Sequence, residues 1–302
     1  MLIPPAISPA LAAGAALLAA LCWTLSSLLW RRLPTSLGAA QLNLLKNLLA
    51  LVLLAPALAL QPWRVGWEPL LLLAASGVLG IALGDSLYFA ALRRLGTRRC
   101  LTLDAGGPAV TAVAGFLWLA EWPSPLQWLG VGLISLAVLL VARQKPERSP
   151  AAGLAVPAAA QRLGVLLALG ALLCGSGGAL LARAALRAGE LDPLQSAVLR
   201  LAAASLVLLP LLRGVPASPP RPRPAQRRWP LWLAATLLGT SAGIALQQTA
   251  LQHLPGALAV ALMATAPVMA LPLAPLEGDR PGVVGVLAAL LALGGVSCVV
   301  VG

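Results

Sequence analysis

Apolar residues fill the chain in runs of about twenty, and each run closes in a short segment rich in Pro, Gly or Arg. Residues 9–30, 37–60, 69–92, 99–120, 125–142, 162–184, 193–212, 230–252, 256–276 and 281–301 form ten such runs. Roughly 20 residues of α-helix cross a bilayer core, so the pattern predicts ten transmembrane helices. The connections carry turn residues, as in "RRLPTS", "QPWRVGWEP", "RRLGTRR", "EWPSP", "GELDP", "HLPG" and "EGDRPG". Strands are excluded on two grounds. A backbone in lipid has to bond internally, and the alternating ten-residue segments of a membrane barrel are absent. The expected class is an all-α integral membrane protein. The first run follows "MLIPPAISPA", which has no basic leader, so it reads as a first spanning helix and not a cleaved signal.

The ten runs divide into two sets of five about residues 143–161, "RQKPERSPAAGLAVPAAAQ", which read as a linker. The sets are related. Residues 88–110 align without a gap on 247–269 at an offset of 159, pairing Ala91-Leu92 with Ala250-Leu251 and Pro108 with Pro267. The same offset lays Gly80 and Gly84 on Gly239 and Gly243, two GxxxG steps of the kind that lets helices approach closely in lipid. "KNLLALVLLAP" aligns with "RLAAASLVLLP", placing Lys46 on Arg200, and Glu121 and Glu277 each close the fourth run of a set. An odd number of spans per copy inverts the second copy relative to the first. Inverted repeats are a recurrent plan of secondary transporters, with the substrate site at the repeat interface near the midplane.

The tandem five-helix repeat, the Ala-Leu step before each fourth helix, its proline and the acid before each fifth helix resemble the EamA-like family of the drug/metabolite transporter superfamily. One departure is visible: thirteen positions separate Pro108 from Glu121, and ten separate Pro267 from Glu277. The resemblance covers essentially the whole chain. It implies a first five-helix repeat over 1–142, the linker 143–161 and a second repeat over 162–302. It also implies an inner-membrane, multi-pass carrier, often exporting amino acids or other small metabolites.

Composition sharpens this picture. The 302 residues are 60% hydrophobic and only 10% charged, against about a quarter charged in soluble domains. The net charge of +12 does not point to nucleic acid, because the basic residues lie in short loops and build no basic face. Sixteen of the 21 Lys and Arg fall in loops after odd-numbered helices and three in loops after even-numbered ones. Positive loops stay cytoplasmic, so both termini are expected outside. The proline-rich basic loop 213–229 is expected to lie near anionic headgroups. Four scattered cysteines and one histidine, His253, offer no metal set, and no phosphate-binding Gly-Lys-Ser/Thr loop or other cofactor motif is present.

Ionisable residues inside a span are costly and mark function. Here they are Lys46, Asp85, Asp104 and Arg200. At about 1.5 Å of rise per residue, Lys46, Asp85 and Asp104 share an inner level. Asn43 and Asn47 lie on the Lys46 face of helix 2, Tyr88 on the Asp85 face of helix 3, and Trp23, Thr24 and Ser27 on helix 1. In the second half Gln195, Ser196 and Arg200 on helix 7 and Gln247, Gln248 and Thr249 on helix 8 fall towards the outer side. The expected site is a hydrophilic cavity that binds a small molecule. Arg200 or Lys46 would attract a carboxylate or phosphate, and Asp85 or Asp104 would bind an amino group or carry a coupling proton. The competing reading makes Lys46 and Asp85 a structural pair. Pro108 and Pro267 are candidate gating kinks, and Glu121 and Glu277 are expected to be surface or capping acids. Other functional readings are an antiporter of phosphorylated metabolites or nucleotide sugars, a membrane enzyme, or a channel. An enzyme would need a nucleophile–base pair or paired acids.

Overall fold

The computed structural model describes residues 7–32, 38–58, 65–104, 106–143, 158–187, 191–212, 228–273 and 282–302. Among these residues there are helices and no strands. They are α1 (Pro9–Arg32), α2 (Ala39–Leu58), α3 (Trp67–Ser76), α4 (Ser86–Asp104), α5 (Gly107–Leu119), α6 (Pro125–Arg143) and α7 (Ala158–Arg187). There follow α8 (Pro193–Leu208), α9 (Trp229–Thr236), α10 (Gly243–His253), α11 (Gly256–Met263), α12 (Ala266–Met269) and α13 (Val283–Val301). A π-helical stretch, Gly77–Asp85, joins α3 to α4, and a second, Leu237–Ala242, joins α9 to α10. Among the described residues, six helical segments are long and apolar enough to cross a membrane: Pro9–Trp30, Ala39–Pro56, Trp67–Ala91, Arg162–Arg187, Trp229–His253 and Val283–Val301. Gly107–Leu119, Pro125–Leu140 and Pro193–Leu208 are shorter apolar helices.

Burial is inside-out relative to a water-soluble domain. Large apolar side chains such as Leu11, Leu117, Leu166, Leu206, Leu290 and Leu293 are exposed, whereas Asn43, Asn47, Ser196 and Gln248 are wholly enclosed. Lipid gives leucine no reason to hide and amides every reason to. Between helices the core is made largely of alanine. Ala12, Ala16 and Ala19 form a buried stripe on α1, and glycine replaces alanine where backbones touch.

Helix pairing relates the two halves. α1 packs mainly on α9 to α13, and α7 packs on α3, α4 and the π stretch between them. Each half thus lends its first helix to the third helix of the other. α5 lies on α11 and α6 on α13. A Cβ on Gly130 would sit 2.6 Å from the Gly295 carbonyl, and one on Gly302 would meet Leu126 at 3.0 Å. Residue numbers therefore rise along α6 as they fall along α13. Gly107 faces Val260 while Gly256 faces Thr111, so α5 and α11 also run antiparallel. Helices that correspond in the two halves point in opposite directions.

Two local features differ from the expected pattern. Helical backbone continues from Ser86 to Asp104, through the predicted connection "RRLGTRR"; α4 ends at Asp104 and α5 begins at Gly107. In the second half the turn at Leu254–Pro255 is present, and a further break follows at Ala264–Thr265. Pro255 supplies that turn, because it cannot continue a helix; its counterpart, Gly96, retains an N–H. Pro108 and Pro267 accordingly lie in the first turns of α5 and α12, not in helix interiors. There a missing N–H costs nothing. Matched breaks precede both prolines, so each fourth helix is discontinuous at the same place.

Candidate functional site

The first cluster is built on α2. Asn43, Lys46 and Asn47, at i, i+3 and i+4, turn one polar face inward. Lys46 Nζ lies 2.8 Å from Asp85 Oδ2 and donates to Asn47 Oδ1 at 3.2 Å. Asn47 in turn donates to Asn43 Oδ1 at 3.3 Å. Asp85 closes the π-helical stretch, a wider coil than the α-helix and one that recurs at functional sites. Asn43 Nδ2 donates to the Ile81 carbonyl of that stretch at 2.8 Å. Lys46 is buried, whereas the Asp85 side chain is 39% exposed, so one end of the pair is open.

The second cluster is built on α8. Asp192 caps its first turn through Leu194 N–H at 2.8 Å, and Gln195 completes a capping box. One and two turns further in, Ser196 and Arg200 point at α10. Ser196 Oγ donates to Gln248 Oε1 at 2.8 Å and Arg200 Nη1 to Gln247 Oε1 at 3.2 Å. Arg200 also meets the first repeat: a Cβ on Gly77 would collide with its carbonyl, and one on Gly80 would lie 3.4 Å from Nη2. Arg200 is 3% exposed, and among the described residues no carboxylate lies within 4.0 Å of it.

Other expected residues are placed differently. Asp104, the last residue of α4, is exposed and makes no ion pair with Lys46. Tyr88 packs beside Ala91 and Ala168, its ring edge-on to Phe89. Trp23 and Thr24 join the repeats: Trp23 Nε1 donates to the Gly239 carbonyl and Thr24 Oγ1 to that of Ala266, each at 2.9 Å. Gly80 and Gly84 face α7 at Gly178 and Cys174, whereas Gly239 and Gly243 face Ser26 and Trp23 of α1. Glu277 lies outside the described residues.

Glu121 holds a junction that residue-by-residue reading did not build. α5 ends on Ala120 in the left-handed conformation (φ 51°), with Glu121 N–H bonding back to Gly115. The reversal sends the Glu121 side chain across to the second repeat. Its Oε2 accepts from Gly256 N–H at 2.7 Å, at the start of α11, and its Oε1 accepts from Arg183 Nε at 2.8 Å. Arg183 Nη1 then donates to the Leu251 and Gln252 carbonyls ending α10, at 2.9 and 2.7 Å. One ion pair thus caps two helix ends. The sequence signal was an acid just after a helix and an arginine late in another, with nothing to say they meet.

A bundle with lipid-facing leucines, enclosed amides and charges, and oppositely directed halves is that of a multi-pass cell-membrane transporter. The chain belongs to the EamA-like transporter family, within the drug/metabolite transporter superfamily: the family pattern matches twice, over residues 10–143 and 162–301. It is 36% identical over 132 residues to the threonine/homoserine exporter RhtA of Escherichia coli K12, a match spanning 42% of each chain. It is 34% identical over 142 residues to the protein of the same name from Salmonella typhimurium SL1344, spanning 45% of this chain and 47% of that one. The chain therefore matches under half the length of these relatives. A solved crystal structure superimposes with a TM-score of 0.74 over 96% of both chains at 18% identity, a likeness of fold.

Proposed function

We propose that the protein crosses the membrane ten times as two inverted five-helix repeats and moves a small polar metabolite by alternating access between them. The substrate class is an amino acid or a related compound, and the direction is export. The observation that carries this reading is the set of charged and polar side chains gathered where the second and third helices of the two repeats pack together. Lys46–Asp85 and Arg200–Gln247 sit on the paired second and third helices of opposite repeats, beside π-helical backbone in each. Charge inside a span is costly to insert and by default marks a functional site. The relatives' names put threonine and homoserine first among solutes to try. With no ATP-binding loop in the sequence, an ion or solute gradient is the expected drive, and the open end of Asp85 is a place for a coupling proton.

Proteoliposomes loaded with unlabelled amino acids and offered the radiolabelled solute test this directly, with and without a pH gradient. Counterflow of at least one amino acid above protein-free vesicles is expected. Absence of flux for the whole amino-acid set, with flux of a sugar phosphate in its place, would move the protein to the organic-phosphate antiporters.

A further inference from the structure

We infer that Arg200 is the anion receptor of the transport path, and that the group it receives is the carboxylate of the transported solute. The inference rests on the transport reading above and names the chemistry of that site.

Three observations carry it. Lys46 and Arg183 each hold a carboxylate at 2.8 Å. Arg200, more enclosed than Lys46 (3% against 6% exposed), holds none. A guanidinium has five N–H donors, yet among the described residues Arg200 makes one side-chain hydrogen bond, to Gln247, and its Nε has no partner. A buried charge left this way is expensive unless an anion completes it.

The surroundings offer donors. One turn away on α8, Ser196 occupies the Gln248 oxygen and leaves the buried Gln248 Nε2 without an acceptor. A pocket with spare N–H groups fits a ligand that only accepts. Gly80 keeps the space beside Nη2 free of a side chain.

Charge decides between a carboxylate and a phosphate. Lys46 is already neutralised by Asp85, so among the described residues of this cluster Arg200 is the cation without a carboxylate. It balances one carboxylate. A phosphate dianion would need a second free cation beside Arg200.

The test uses the purified protein in lipid nanodiscs and a binding assay over the common amino acids, with their amides as controls. L-Threonine against L-threoninamide is the leading pair, differing only at the carboxylate. The unaltered protein is expected to bind the acid at least about tenfold more tightly than the amide. Arg200→Gln should weaken acid binding about ten- to a hundredfold and amide binding much less, with Arg200→Lys between the two for the acid. Inorganic phosphate at the same concentration should not displace threonine.

Equal affinity for acid and amide, or no carboxylate of the panel binding at all, overturns the inference. So does a folded Arg200→Gln that binds threonine normally, and displacement by phosphate overturns the choice of carboxylate. If Arg200→Gln does not fold, the acid–amide comparison on the unaltered protein decides. Carboxylate binding that depends on Arg200, without amino-acid flux in proteoliposomes, would keep the receptor and sink the transport reading. Flux undiminished in Arg200→Gln would do the reverse.

Discussion

Asp85 and Lys46 depend on one another. Replacing Asp85 with Asn leaves Lys46 as an unpaired buried cation, a change that costs about 3–5 kcal/mol where both charges are fully enclosed. Asp85 is partly open, so about 2 kcal/mol is expected here, read as a lower unfolding temperature in detergent. Lys46→Met with Asp85→Asn should recover most of that loss, because no charge is then stranded. If the double variant recovers stability yet moves no solute, the pair belongs to transport as well as to packing. Glu121→Gln should destabilise more, by about 3 kcal/mol, since Arg183 is held almost entirely within protein and the acid also caps α11. The Lys46–Asp85 pairing was legible in the sequence, because helical rise puts both residues at one depth. The Glu121–Arg183 pair was not: its members are 62 positions apart in different repeats, and only the left-handed turn at Ala120 aims one at the other. Depth gave no sign that the chain beyond Ala91 stays helical, which puts Asp104 at the exposed end of α4 without an ion pair to Lys46.

The third helices show what hydropathy cannot reveal. "GVLGIALGD" has the same apolar texture whether its backbone winds as α or π, so nothing in it announces the wider coil. The repeated steps Gly80–Gly84 and Gly239–Gly243 read as close packing; the structure adds π backbone at the first and at Gly239 of the second. Close approach is also position-specific. On α6, Gly130 abuts Gly295 whereas a Cβ on Gly132 meets nothing within 4 Å. Gly130→Ala should force α6 from α13 and lower the unfolding temperature, while Gly132→Ala should leave it unchanged or raise it, worth about 1 kcal/mol in helix propensity. At Ala120, Gly is expected to stabilise by about 1 kcal/mol, since it adopts the left-handed turn without the Cβ penalty. The prolines were legible as markers of discontinuity. Their place in first turns was not, because that depends on where the preceding helix stops.

Across the whole molecule, duplication and spanning character were open to reading because lipid constrains composition so heavily. Five spans per copy implied inversion, and the antiparallel course of α5 on α11 and α6 on α13 has the geometry that inversion demands. Sidedness is the corresponding prediction. The sixteen-to-three distribution of bases over the connections read from the sequence, four of these bases lying in α4 of the structure, predicts both termini outside the cytoplasm. A C-terminal alkaline phosphatase fusion should therefore be active and a green fluorescent fusion dark; a bright fluorescent fusion reverses the assignment. The exchange of first helices has a bearing on how the protein is made. α1 leaves the ribosome before α2 to α13, yet the surfaces it settles against, α9 to α13, are synthesised some two hundred residues later. Until then it has to wait in the bilayer as a lone hydrophobic rod, which its composition allows. A chain truncated after residue 143 should accordingly be inserted but remain prone to proteolysis, and co-expression of residues 158–302 as a separate fragment should protect it.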